Sequence, residues 1–173
     1  MESAEFTYAP VGATHEGLPD GWMHDDVETV VGVGEGAWEQ AVAGLRSWAQ
    51  FDLGWVVPHD RDVPLTPGAT FAFVSRQLGM FSVNVCRVVY AVDESVDGTR
   101  RFGFAYGTVG NHVVKGEELF LLEQDPSGTV RFRISKFWRP AHPLVRLAGP
   151  LARHVQRRFS TEALARMTRE ATA

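Results

Sequence analysis

From Thr70 to Phe137 the chain is a succession of alternating apolar and polar segments broken by short turn sequences, and no other feature restricts the fold as much. Phe71 and Phe73 open the first segment. Phe81, Val83 and Val85 then alternate with Ser82, Asn84 and Cys86, and Arg101 to Val109, Glu117 to Glu123 and Thr129 to Phe137 follow. Alternation with a period of two belongs to extended strands, whose successive side chains point to opposite faces. Gly79 marks a turn or bulge. Asp97-Gly98 suits the positive φ of a tight hairpin, and Asp125-Pro126-Ser127-Gly128 places Pro and Gly where a turn uses them. Strands joined by such short links form an antiparallel meander.

The segments on either side read differently. Val27 to Val33 is a short apolar run suited to a strand, after a stretch broken by Pro10, Gly17, Pro19 and Gly21. Ala37, Ala41, Leu45 and Trp48 follow at helical spacing, with Glu35 and Glu39 near the start, where the helix dipole favours negative charge. Residues 52–68 carry Pro58, Pro64, Pro67 and Gly68 and read as irregular, with Trp55 as an apolar anchor. Beyond Pro143, Leu144, Ala148, Leu151, Val155 and Phe159 form one helical stripe, within which Pro150 is expected to kink or split the helix. The fold class is therefore α+β, an antiparallel sheet closed by a long C-terminal helix, in one domain spanning residues 1–173.

At 173 residues such a domain can bury a core without metal or disulfide staples. The apolar fraction of 45% and charged fraction of 22% exclude a disordered or fibrous class. Cys86 has no intrachain partner, the N-terminus lacks a basic region followed by an apolar one, and no apolar run is long enough to span a bilayer. A cytoplasmic protein without membrane insertion is expected. The net charge of −4 is divided unevenly: residues 139–173 hold seven Arg against Glu162 and Glu170, a net of +5, which leaves −9 for the rest. Arg146, Arg153, Arg157 and Arg158 are read as fastening the helix to this acidic body, and nucleic acid is not an expected partner.

Several constellations bear on chemistry. In Phe102 to Thr108 the alternation leaves Gly103, Ala105 and Gly107 on one nearly bare face, where either the C-terminal helix packs or a ligand finds room. Gly32-Val33-Gly34-Glu35-Gly36-Ala37 fits G-x-G-x-x-A, with Asp52 at a suitable distance for a ribose, but the hairpin-linked strands lack the parallel βαβ context that a dinucleotide site requires. The glycines are read instead as shaping the entry to the first helix. His112, Glu117, Glu118 and Arg139 can form a polar cluster on and beside a loop, in which His112 or Glu117 serves as general base and Arg139 holds an anion. The alternative is that Glu117 or Glu118 pairs with Arg139 or Lys115 at the surface. The histidines show no metal-ligand spacing, and His24, Asp25 and Asp26 are a weak cluster, so neither metal nor cofactor is expected. A buried Cys86 is inert as a nucleophile.

Tyr106-Gly107-Thr108, His112, Gly116-Glu117-Glu118, Phe120, Arg139-Pro140, Pro150, Arg153 and Gln156 together resemble, in order, the uncharacterised family Domain of Unknown Function nineteen-ninety. Phe6 to Thr14, Gly32-Val33-Gly34 and Trp48 to Trp55 resemble its N-terminal half. The loop Val109-Gly110-Asn111, and Val113 where a proline is expected, depart from the pattern. The resemblance implies the helix-grip architecture of START-like and plant allergen-like proteins, in which a sheet and C-terminal helix enclose an apolar cavity.

The expected function is binding of a small apolar or amphipathic molecule in that cavity. Tyr106, Thr108, His112, Glu117 and Arg139 are expected to contact it at polar groups, and Trp48 and Trp55 through apolar surface. Two alternatives remain open. One is an enzyme that uses the cavity for cyclisation, dehydration or hydrolysis, with His112 and Glu117 catalytic; the other is an interaction protein with a filled core. The sequence leaves the oligomeric state open.

Overall fold

A two-residue turn at Asp97-Gly98, with φ of 51° and 76°, closes the hairpin between strands β4 (Met80–Val96) and β5 (Thr99–Thr108). Positive φ at both positions matches the twist of the flanking strands. Strands β6 (Val114–Gln124) and β7 (Thr129–Pro140) meet through the Asp125–Gly128 turn, where the Asp125 carboxylate accepts hydrogen bonds from the amides of Ser127 and Thr129. The Ser127 hydroxyl, and then Arg131, pull the Asp125 pKa down to about 2.

These strands belong to a computed structural model that describes residues 5–77, 79–110, 112–141 and 149–172. Before them come a single helical turn, α1 (Ala13–Glu16), strand β1 (Met23–Val33), helix α2 (Glu35–Arg46), a 3-10 turn at Ala49–Phe51, and strands β2 (Val56–Pro58) and β3 (Thr70–Gln77). Helix α3 (Gly149–Glu170) follows. The strands form one antiparallel sheet in the order β1-β7-β6-β5-β4-β3-β2, curled into a half-barrel around α3. The first strand thus closes against the last.

The concave face carries the main core. Phe102 and Phe104 from β5, Phe120 and Leu122 from β6, and Phe132 and Ile134 from β7 meet Leu45 of α2 and Phe159, Ala163 and Met167 of α3. A second, smaller cluster covers part of the convex face, where Tyr8 and Ala13 of the N-terminal segment pack on Phe137 with Trp22 beside them.

Several sequence expectations are corrected here. Pro150 is the second residue of α3, a first-turn position where a proline lacks only an N–H that would have no helical acceptor, and the part of the stripe it is expected to kink or split off lies outside the described residues. Leu144, Arg146 and Ala148 lie outside the described residues. Residues 52–68 include the short strand β2. The bare stripe faces neither α3 nor a ligand space: a Cβ at Gly107 would lie 2.0 Å from the Tyr8 hydroxyl, so the N-terminal segment occupies that face. At Gly103 a Cβ would lie 2.1 Å from the backbone oxygen of Phe120.

The arginines fasten α3 less than the charge division implied. Arg158 pairs with Glu162 and Arg166 with Glu170 inside the helix, while Arg153 and Arg157 are exposed. Arg166 reaches Asp52 at 3.7 Å, and the buried Phe159, Ala163 and Met167 do most of the docking. The glycines before α2 shape its entry, as expected: a Cβ at Gly32 would lie 2.5 Å from that of Ala37, and Gly34 turns into the helix with φ 88°.

Candidate functional site

Each of three adjacent strands places a polar residue at the end of its apolar face. Tyr106 follows Phe102 and Phe104 on β5; Glu118 precedes Phe120 and Leu122 on β6; Lys136 follows Phe132 and Ile134 on β7. Alternation keeps each on the concave side with its apolar neighbours. Register then sets them in one row, with Tyr106 opposite Glu118 and Glu118 opposite Lys136. All three are buried.

The row is closely bonded. The Tyr106 hydroxyl donates to Glu118 Oε2, and Lys136 Nζ lies 3.3 Å from Glu118 Oε1 as an ion pair. The ammonium aims its hydrogen bonds at α3, donating to the Gln156 carbonyl (3.3 Å), Gln156 Oε1 (3.2 Å) and Ser160 Oγ (2.9 Å). Burial, and then the Glu118 charge, push the Tyr106 phenol well above its usual pKa, so it remains a neutral donor. Lys136 therefore ties the sheet to the C-terminal helix through a buried polar network.

Beside the row lies a pocket of about 470 Å³ between the sheet and the start of α3. Trp55, Val56, Phe73, Val155 and Phe159 supply apolar wall, and Tyr106, Glu118, Lys136 and Gln156 supply a polar one. Ser75, Ser82 and Asn84 form a second polar wall whose members bond mainly to one another, the two hydroxyls 2.7 Å apart and the Asn84 amide donating to both. This wall runs against the hydropathy of its strand. On β4 Asn84 and Cys86 are buried, while Phe81 and Val83 are 69% and 63% exposed. Burial raises the Cys86 thiol pKa well above normal.

His112 completes the wall. Its Nδ1 accepts a hydrogen bond from the Val114 amide at 3.2 Å, which assigns the proton of the neutral ring to Nε2. Desolvation lowers its pKa to about 4, so the neutral ring prevails near pH 7. Its Nε2 is buried and has no hydrogen-bond partner among the described residues, and the same holds for Glu118 Oε1.

The residues singled out from sequence divide between two faces. Tyr106, Thr108, His112, Glu117 and Trp55 all line the pocket, and Trp55 is held by Nε1 donation to Glu162 and by Arg158 over its ring. Glu117, however, turns its carboxylate to the convex face. There it accepts from the Tyr8 hydroxyl (2.7 Å), the Gly12 amide (2.6 Å), and the amide and hydroxyl of Thr14 (3.0 and 2.5 Å). Arg139 is on that face too, its guanidinium 3.6 Å from the centre of the Trp22 ring. Trp48 is fully buried behind the pocket, donating to the Val63 carbonyl and packed on Phe71 and Phe104.

The surface pairing of Glu117 or Glu118 with Arg139 or Lys115 is not formed among the described residues: Glu117 shares the convex face with Arg139, but its buried carboxylate is taken by Tyr8, Gly12 and Thr14, and Glu118 points to the other face and pairs with Lys136. The weak His24, Asp25 and Asp26 cluster is divided: His24 bonds the Pro19 carbonyl, Asp25 accepts from Trp138, and Asp26 pairs with Arg133. The sequence reading gave no role to Lys136 or Ser160. A signal for Lys136 was present, a lysine in phase with Phe132 and Ile134, where a surface lysine would fall on the other phase.

No helix among the described residues is long and apolar enough to cross a membrane. A UPF0548 protein of Deinococcus radiodurans is 40% identical over 164 residues, covering 88% of this chain and 80% of that one. Another, from Dictyostelium discoideum, is 34% identical over 151 residues, covering 83% and 70%. The crystal structure of Ara h 8.0201 superposes with a TM-score of 0.57 at 11% identity, covering 88% of this chain and 99% of that one, and the shared fold is helix-grip. The model of the family described as Domain of unknown function (DUF1990) matches residues 7–166, and with the ordered motifs around Tyr106, Glu118 and Gln156 in place the chain belongs to that family.

Proposed function

We propose that the protein binds a small, largely apolar molecule between the curled sheet and α3. The observation that carries this reading is the pocket of about 470 Å³, large enough for a small ligand and mostly apolar, beside which a few polar groups are set on rigid strands. The polar contacts fall to Tyr106, Glu118 and His112, with Trp55 and Phe159 as apolar wall. Burial of Glu118 and Lys136 as an ion pair, with Tyr106 bonded to the carboxylate and Gln156 and Ser160 to the ammonium, keeps the polar wall in place when the ligand is absent.

Titration with the neutral fluorophore N-phenyl-1-naphthylamine tests this reading. The wild-type protein is expected to enhance and saturate its emission. Ala152→Trp, which sets a large side chain into the wall of the pocket from α3, is expected to abolish that response while the urea midpoint changes little. Equal binding by both proteins would sink the pocket assignment.

A further inference from the structure

The two unmet polar atoms of the pocket define what its occupant must carry. Glu118 Oε1 is a buried acceptor toward which no N–H or O–H is directed among the described residues. Its ion-pair partner does not fill the gap, because the three protons of the Lys136 ammonium have three other acceptors, the two oxygens of Gln156 and Ser160 Oγ. His112 Nε2 is the complementary case. With Nδ1 accepting from the Val114 amide, the neutral ring presents Nε2–H as a buried donor with no acceptor among the described residues. Both residues line the same pocket.

An acceptor and a donor left open in a mainly apolar pocket call for a group that both donates and accepts. A hydroxyl does so with one atom. Charge narrows the choice further. Among the described residues that line the pocket the sole cation is Lys136, already engaged, so an entering carboxylate or phosphate would meet the Glu118 carboxylate with no free cation among those residues to offset it.

The geometry points to an uncharged apolar alcohol as the ligand class, its hydroxyl donating to Glu118 Oε1 and accepting from His112 Nε2–H, with carboxylate-bearing lipids excluded. This rests on the pocket reading above and adds the chemistry of the polar end. Competition separates the two. With N-phenyl-1-naphthylamine bound, 1-decanol, decanoate and decyl methyl ether are titrated as competitors; they share a chain and differ in whether the head donates, is anionic, or only accepts. Decanol is expected to displace the probe at a concentration at least roughly ten-fold below that of either of the others.

Glu118→Gln is expected to reverse the order of decanol and decanoate, because it removes the repelling charge and leaves Lys136 uncompensated. Should that variant fail to fold, His112→Phe serves: decanol is expected to weaken about five-fold while decanoate is unchanged. Displacement by decanoate as good as that by decanol in the wild type would overturn the alcohol assignment and leave the pocket reading standing. If the probe itself does not bind, both fall.

Discussion

His112 joins the pocket to the stability of the fold. Its pKa is lowered to about 4 by desolvation, against 6.5 for the free side chain, so between these values the unfolded chain binds a proton that the folded one does not. Stability contributed by the neutral ring is therefore fully present above pH 6.5 and is lost as the pH falls toward 4. At pH 4.5 the wild type is expected to have lost about 2–3 kcal/mol more than His112→Phe, relative to pH 7.5. Urea unfolding of both proteins at the two pH values measures the difference, and parallel behaviour would show that the ring is solvated. This residue was visible in the sequence as a loop histidine. Its neutral state was not, because that depends on Phe73 and the strand ends packed around it.

At the scale of elements, the N-terminal segment is a strap that holds the convex face through Glu117. Four donors from Tyr8, Gly12 and Thr14 converge on one carboxylate, and Thr14 also meets Tyr90, whose pKa burial pushes up to about 12. Glu117→Ala leaves those donors unpaired and is expected to cost about 2–4 kcal/mol in urea unfolding, with faster proteolysis within residues 5–18. Affinity for N-phenyl-1-naphthylamine is expected to stay within two-fold, roughly, because the carboxylate lies across the sheet from the pocket. A collapse of probe binding with stability preserved would instead place Glu117 in the ligand's path. The sequence presented Glu117 and Glu118 as a pair of similar carboxylates; one pleat divides them into a strap anchor and a pocket wall.

Over the whole molecule, chain order and spatial order are interlocked. The first strand is paired to the last, α3 rests on β1, α2 and β7, and Phe6 bridges to Val109. Both sheet edges, β1 and β2, lie in the first half of the sequence and the strands β5 to β7 with α3 in the second, and the main core draws on both halves. We expect residues 5–172 to unfold as one cooperative unit, with urea curves from tryptophan fluorescence and far-ultraviolet circular dichroism coinciding. The tryptophans report from the strap at Trp22, from α2 at Trp38 and from the pocket at Trp55, so two separate transitions would show that the strap or helix detaches first.

Local physics accounts for what the sequence determined by itself. Positive φ at Asp97-Gly98, the proline-glycine turn at Asp125–Gly128 and the period of two between them are properties of neighbouring residues, and they yielded the meander and the place of its strands, while β1 and β6 begin at Met23 and Val114, before the expected Val27 and Glu117, and β2 was read as irregular. The family motifs then supplied the curl around a C-terminal helix. Which face of each strand is inside was decided only by tertiary structure. Phe81 and Val83 lie outside while Asn84 and Cys86 lie inside, and the Gly107 face is covered by a segment about a hundred residues earlier. The row of Tyr106, Glu118 and Lys136 depends in the same way on the register of three strands. Burial and register are set by what packs against a strand from elsewhere in the chain, and no local pattern carries that information.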